Sequence, residues 1–215
     1  MLIPQIHPPF PLAWGFSTKL DDPADLPPVR LSQVHGCRVV SALEGVQSAD
    51  GIWTSEPGIR IGVRVADCVP ILMAGFAGGK PWIAALHAGW RGAVAGIFRN
   101  GIEQFRGQGG DLSSLLWSFG PCIQPCHFEV GEEVIEAARQ DSAWHEGLVS
   151  IRPSGRPHLD LHGLLRAQGL SMGLGPANEG SLPLCSVCEK DILWSYRRGD
   201  RSERQWGWIE LETVE

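Results

Sequence analysis

The spacing of apolar positions changes along this chain, and each change marks an element. From Gly58 to Val65, Ile59, Ile61, Val63 and Val65 alternate with Arg60, Gly62 and Arg64. A period of two predicts a half-buried strand that delivers Asp67 and Cys68 at its end. Val69 to Met73 continues extended, Gly75 to Lys80 reads as a turn, and Trp82 to Leu86 is the next strand, carrying His87 into Ala-Gly-Trp-Arg-Gly. The period then lengthens. Val94, Ile97, Phe98, Ile102 and Phe105 share one face at helical spacing, which predicts an amphipathic helix from about Gly92 to Phe105, stopped by Gly107 to Gly110. A buried strand around Leu115 to Phe119 follows, then helices over about Val130 to Arg139 and Leu159 to Gln168. Two strands, Leu193 to Arg197 and Gln205 to Leu211, close the pattern. Residues 1–28 are proline-rich and read as an irregular lead-in with one short strand near Trp14 to Ser17, and the strand-like pattern begins at Val29. Mixed strands with interspersed helices predict an α+β fold, not a regular βαβ repeat.

Composition narrows the class. The 215 residues fit one domain spanning 1–215, and 43% hydrophobic with 20% charged residues is the balance of a packed globule. A net charge of -6 argues against a general nucleic-acid binder, which needs a basic face. The first residues lack a basic n-region and a continuous apolar h-region, and no stretch approaches the roughly 18 apolar residues that span a membrane. The expectation is a cytoplasmic protein with no membrane segment, monomeric or homodimeric. Six cysteines in that compartment read as thiols, metal ligands or reactive groups rather than disulfides.

The candidate chemistry lies in three segments: Ser-Gln33-Val-His35-Gly, Ala-Asp67-Cys68-Val-Pro and His87-Ala-Gly-Trp-Arg91-Gly. Each places one soft or borderline ligand at or beside a turn. Two imidazoles and a thiolate suit zinc and leave a fourth position open, which separates a catalytic zinc from a structural one. Asp67 is placed to accept from an imidazole and fix its tautomer. Arg91, where a strand turns into a helix N-terminus, suits phosphate. Cys122, Cys126, Cys185 and Cys188 could form a four-thiolate zinc site, with reduced structural cysteines the preferred reading. Tyr196-Arg197-Arg198 with Arg201 and Arg204 makes a basic hairpin, suited to a substrate anion or to a solvated face. The P-C-x-x-C signature of zinc nucleobase deaminases is absent, because three residues separate Cys122 from Cys126. No G-x-G-x-x-G follows a strand and no P-loop occurs.

Ser-Gln33-Val-His35-Gly, Ala-Asp50-Gly, Ala-Asp67-Cys68-Val-Pro, His87-Ala-Gly-Trp-Arg91-Gly, Gly120-Pro-Cys-Ile, Phe128-Glu-Val-Gly and Ser195-Tyr-Arg-Arg occur in one order. Over roughly Val29 to the C-terminus the chain resembles the YfiH-type family, long labelled multicopper polyphenol oxidase or laccase-domain proteins. The resemblance implies a single-domain layered α-β-β-α sandwich with mixed sheets. It implies one metal on His35, Cys68 and His87, zinc in preference to copper. It also implies purine nucleoside phosphorylase activity, from adenosine, inosine, guanosine or methylthioadenosine plus inorganic phosphate to base and (methylthio)ribose 1-phosphate, with adenosine deamination beside it. On that reading Cys68, Asp67 and His87 are catalytic, while Arg91, Gln33 and Arg197 bind substrate.

The laccase label fits poorly, since a multicopper oxidase needs His-x-His pairs and this chain has seven histidines with no such pair. One departure stands out. Lys19 runs to Ser32 in about a dozen residues, where the family usually carries a Gly-Gly-Val-Ser stretch, an Asn-Leu and an Asn-Arg. That loss bears on nucleoside affinity or specificity more than on metal binding. Two rival classes stay open: a cysteine hydrolase or deamidase with Cys68 as nucleophile and His87 or His35 as its base, and a non-catalytic metal-binding partner protein.

Overall fold

The computed structural model describes residues 1–22, 31–44, 46–153 and 155–213. Val29 and the end of the lead-in fall outside them. In chain order the strands and helices are β1 (Leu12–Phe16), β2 (Leu31–Ser32), β3 (Val39–Ser41), β4 (Gln47–Ser48), β5 (Gly51–Thr54), β6 (Ile61–Val65), β7 (Val69–Ala77) and β8 (Lys80–Ala88). There follow α1 (Trp90–Val94), α2 (Ile97–Gly107), β9 (Leu116–Phe119), α3 (Glu132–Arg139), β10 (Val149–Ile151), β11 (Pro157–Leu159), α4 (Leu161–Ser171) and β12 (Gln205–Leu211).

A five-stranded mixed sheet in the order β3-β5-β8-β7-β9 packs on a three-stranded antiparallel sheet, β1-β12-β6. The long pair β7 and β8 sits in the middle of the molecule, and its sequence shows why. Both strands are nearly continuous in apolar residues, as a strand covered on both faces must be. Alternation divides them between two cores. Ile71, Met73, Trp82, Ala84 and Leu86 face the helices, packing with Phe98, Ile102, Phe105 and Leu165. Leu72, Ala74, Ile83 and Ala85 face the small sheet, packing with Ile61, Val63 and Ile209. The layered α+β fold is therefore formed. The α-helices gather on the large sheet, while the outer face of the small one carries Trp208 under the Arg60 guanidinium at 4.5 Å and Trp206 near Arg64 at 5.9 Å.

Three details differ from the sequence pattern. The expected turn shrinks to Gly78-Gly79, with φ of 58° and 77°, because a two-residue hairpin turn with both φ positive matches strand twist and lets β7 and β8 pair to their ends. The amphipathic helix is cut in two at Gly96, whose φ of 89° ends α1 and starts α2. The strand expected over Leu193 to Arg197 does not form. There the N–H groups of Trp194, Ser195 and Arg197 donate instead to side chains of Gln205, Asp200 and Asp67, which compete with a ladder.

Candidate metal centre and active-site cleft

His35, Cys68 and His87 come from three places, and each is held there by its own local cause. His87 is the penultimate residue of β8, and its N–H donates to the Asp50 carbonyl at 2.7 Å. Cys68 follows Asp67 in the tight turn from β6 to β7, where Asp67 takes a φ of 86°. His35 has a φ of 59°, and with its neighbours it forms a nest: the N–H groups of Val34, His35 and Gly36 all point at the Asp50 carboxylate, at 3.2, 2.9 and 2.7 Å. The same carboxylate, fully buried, bonds His87 Nδ1 at 2.8 Å. Asp50 thus ties the loop carrying one imidazole to the ring of the other.

One ligand atom from each of His35, Cys68 and His87 lies within 4.8 Å of the other two. The imidazole rings meet edge to face, 4.7 Å apart. Gly89 makes room for this approach, since a Cβ there would sit 3.0 Å from His35 Nδ1 and 3.1 Å from Cys68 Sγ. Burial pushes the Cys68 thiol up, but hydrogen bonds from His35 and His87 and their charge bring it down to about 7. Burial pushes the His87 imidazole down, and the bonds to Asp50 and Cys68 outweigh it and carry the group up to about 9. Burial likewise opposes ionisation of Asp50, yet His87 and the loop N–H groups hold its carboxyl below the usual value of 3.8.

The three side chains open into a cleft of about 640 Å³, within the roughly 300–1,000 Å³ usual for small-molecule sites. Asp67, Arg64, Arg204, Phe128, Tyr196, Arg197 and Gln33 lie along its walls.

The other candidate residues fall differently. Among the described residues no imidazole is hydrogen-bonded to Asp67. Its carboxylate accepts from Ser186 Oγ at 2.6 Å and from the Arg197 N–H at 2.7 Å, and Asp50 takes the role read for it. Gln33 lines the cleft, but its amide pairs with the main chain of Arg64 at 2.8 Å in both directions. Arg197 also lines the cleft, while its guanidinium donates to the carbonyls of His127 and Glu129, both at 2.9 Å. Arg91 is exposed, lies over the Trp90 ring at 4.3 Å, and is not among the residues lining the cleft. Gly169-Leu170-Ser171-Met172-Gly173 has the spacing of a serine-hydrolase elbow, but it ends α4, and Ser171 Oγ donates to the Gln168 carbonyl.

Sequence reasoning did not single out Asp50 as a site residue. Its signal was an aspartate before glycine between two short strands, which only the pairing with His87 makes meaningful. The four-thiolate grouping also needs correction. Cys122 is buried in the helix-side core with its thiol pushed well up, chiefly by burial. His127 takes its place beside Cys126, Cys185 and Cys188.

Comparison with known proteins gives the family. A family model described as multi-copper polyphenol oxidoreductase laccase matches residues 18–212. The chain is 36% identical over 182 residues to adenosine deaminase RL5 of an unknown prokaryotic organism, covering 77% of this chain and 68% of that protein. It is 34% identical to purine nucleoside phosphorylase PA4543 of Pseudomonas aeruginosa, covering 86% and 75%. The fold matches the crystal structure of hypothetical protein YfiH from Bacillus licheniformis with a TM-score of 0.81 over 94% of this chain and 93% of that one, at 20% identity. No helix among the described residues is long and apolar enough to cross a membrane. With the family model spanning nearly all of the chain and the sequence motifs gathered around one cleft, this chain belongs to the YfiH-type, laccase-domain family.

Proposed function

We propose that this chain is a zinc-dependent purine nucleoside phosphorylase that also deaminates adenosine. It takes adenosine, inosine, guanosine or methylthioadenosine with phosphate to the free base and the (methylthio)ribose 1-phosphate. The convergence of His35, Cys68 and His87 in a cleft that also holds arginines and aromatic rings carries the reading. The names of the relatives supply the substrate class.

The donor set fits a catalytic zinc: two imidazole nitrogens and a sulfur lie within 4.8 Å of one another, and three protein ligands leave a position for water or substrate. When bound, zinc supplies a Lewis acid that activates water for attack at C6 of adenosine. The chain's own residues do the rest. Asp50 keeps the His87 proton on Nδ1, so that Nε2 presents its lone pair. Phosphorolysis breaks the bond between C1′ and the purine nitrogen and forms one between C1′ and a phosphate oxygen. Arg64 holds the charge of that phosphate, in the place first read for Arg91, beside Arg204, whose Nη1 also donates to the carbonyls of Arg201 and Glu203. Tyr196 and Phe128 offer ring faces to the purine. Gln33, Arg197 and Asp67 act by bracing the walls on which these groups stand.

Metal-analysed protein incubated with adenosine and phosphate should yield adenine, ribose 1-phosphate and inosine. Leaving out phosphate should abolish adenine and spare inosine. Protein that holds zinc but yields neither product overturns the proposal and leaves the non-catalytic reading in its place.

The protonation states give a second expected result. A metal needs Cys68 as thiolate, on a thiol that ionises near 7, and His87 free of the proton it holds up to about 9. Protons compete with the metal below those values, so apparent zinc affinity in competition titrations should rise as pH passes through 7 towards 9. An affinity independent of pH across that window counts against this ligand set.

A further inference from the structure

We infer that the protein carries a second zinc site, structural and separate from the cleft, made by Cys126, His127, Cys185 and Cys188. Four donors from two loops meet there: Cys126 and His127 in the loop after β9, Cys185 and Cys188 in the loop between α4 and β12.

The distances are those of an ion-sized tetrahedron. With zinc–sulfur bonds of about 2.3 Å and zinc–nitrogen bonds of about 2.0–2.1 Å, a tetrahedral site has sulfur–sulfur edges of about 3.8 Å and sulfur–nitrogen edges of about 3.5 Å. Cys126 Sγ lies 3.8 Å from Cys188 Sγ. His127 Nδ1 lies 3.3 Å from Cys126 Sγ, 3.6 Å from Cys185 Sγ and 3.5 Å from Cys188 Sγ. Sulfurs at that separation are not bonded to one another, and three sulfurs around one ring nitrogen leave a space that fits a single cation.

The backbone is shaped for the same purpose. The two loops are already aligned, since the Cys122 N–H donates to Leu184 O at 3.1 Å and the Ser186 N–H to Cys122 O at 2.9 Å. Three thiols and an imidazole select zinc over harder cations, and four protein ligands fill the tetrahedron and leave no open position for substrate.

The site's task is to clamp a wall of the cleft. The loop of Cys126 and His127 carries Ile123 and Phe128, and beyond Cys188 the chain runs on to Tyr196 and Arg197, all lining the cleft. Arg197 links the two by donating to the His127 and Glu129 carbonyls, and Asp67 joins them to the β6–β7 turn through Ser186 and Arg197. Zinc at this point fixes the separation of segments that hydrogen bonds and the contact of Arg197 with the Phe128 ring also join.

Elemental analysis of the full chain, purified under reducing conditions without chelator, should find two zinc ions per chain. Cys185→Ser/Cys188→Ser should hold one and lose thermal stability, and His35→Ala/His87→Ala should also hold one. The second of these variants leaves the cysteine cluster intact. Reconstituted with cobalt, it should show the intense sulfur-to-metal charge transfer and visible bands of a tetrahedral, thiolate-rich site. Wild-type protein holding a single zinc, a Cys126–Cys188 disulfide in the reduced preparation, or a cobalt-loaded His35→Ala/His87→Ala variant without those bands each overturns the inference.

Discussion

Cys68→Ser is expected to lower phosphorolysis and deamination together, by on the order of 10³-fold, which is about 4 kcal/mol of transition-state stabilisation. Serine keeps the size of the side chain but not its chemistry. The thiol ionises near 7 because two imidazoles hold its anion against the cost of burial. A hydroxyl in the same place stays protonated at neutral pH and is a harder, weaker ligand for zinc. The fold should survive, since Cys68 is only partly buried and sits in a turn. Bound metal should fall by the one equivalent held in the cleft. The measurement also separates the rival class. A nucleophilic Cys68 would lose turnover on the same substitution while the protein kept its metal, and the wild type would form a trappable acyl-enzyme. A serine variant with full turnover would remove Cys68 from the site altogether.

The parts of the fold written in side-chain period were legible in the sequence. Alternation from Ile59 to Val65 became β6, with Ile61 and Val63 inside and Arg64 outside. The apolar runs around residues 69–73 and 82–86 became the central strand pair, and the helical stripe put Ile97, Phe98, Ile102 and Phe105 in the core. What the sequence hid were long-range hydrogen bonds. Nothing local says that Trp194 and Ser195 give their N–H groups to Gln205 and Asp200, so their segment looked like a strand. Nothing local distinguishes Asp50 from Asp67 as the partner of an imidazole, because 37 residues separate Asp50 from His87. The same holds for cysteine grouping. Spacing ranked Cys122 with Cys126, whereas packing turned Cys122 into the core and brought His127 to face Cys185 from 58 residues away. Motif residues marked the cleft, and their roles waited on geometry.

Asp50→Ala should be the most damaging single change outside the ligands themselves. The carboxylate accepts from Val34, His35, Gly36 and His87, and it is completely enclosed. Deleting it leaves these donors facing a cavity, one of them an imidazole raised to about 9 by that carboxylate and by Cys68. Breaking a buried pair in this way costs about 3–5 kcal/mol, read as a lower denaturation midpoint. With the loop of His35 unpinned and the His87 tautomer free, zinc affinity in the cleft should drop by about 10–100-fold. Asp50→Asn separates the two effects, since it fills the space but turns an amide donor towards groups that are themselves donors. It should cost less stability, about 1–3 kcal/mol, yet weaken zinc nearly as much. The acid limb supplies a further check. The Asp50 carboxyl is depressed in the folded state, so its contribution is present above 3.8 and is lost as pH falls through the folded-state value. The stability gap between wild type and Asp50→Asn should therefore close as the solution is made more acid. An Asp50→Ala protein of unchanged midpoint and unchanged zinc affinity would show that the nest and the imidazole are held by something other than this carboxylate.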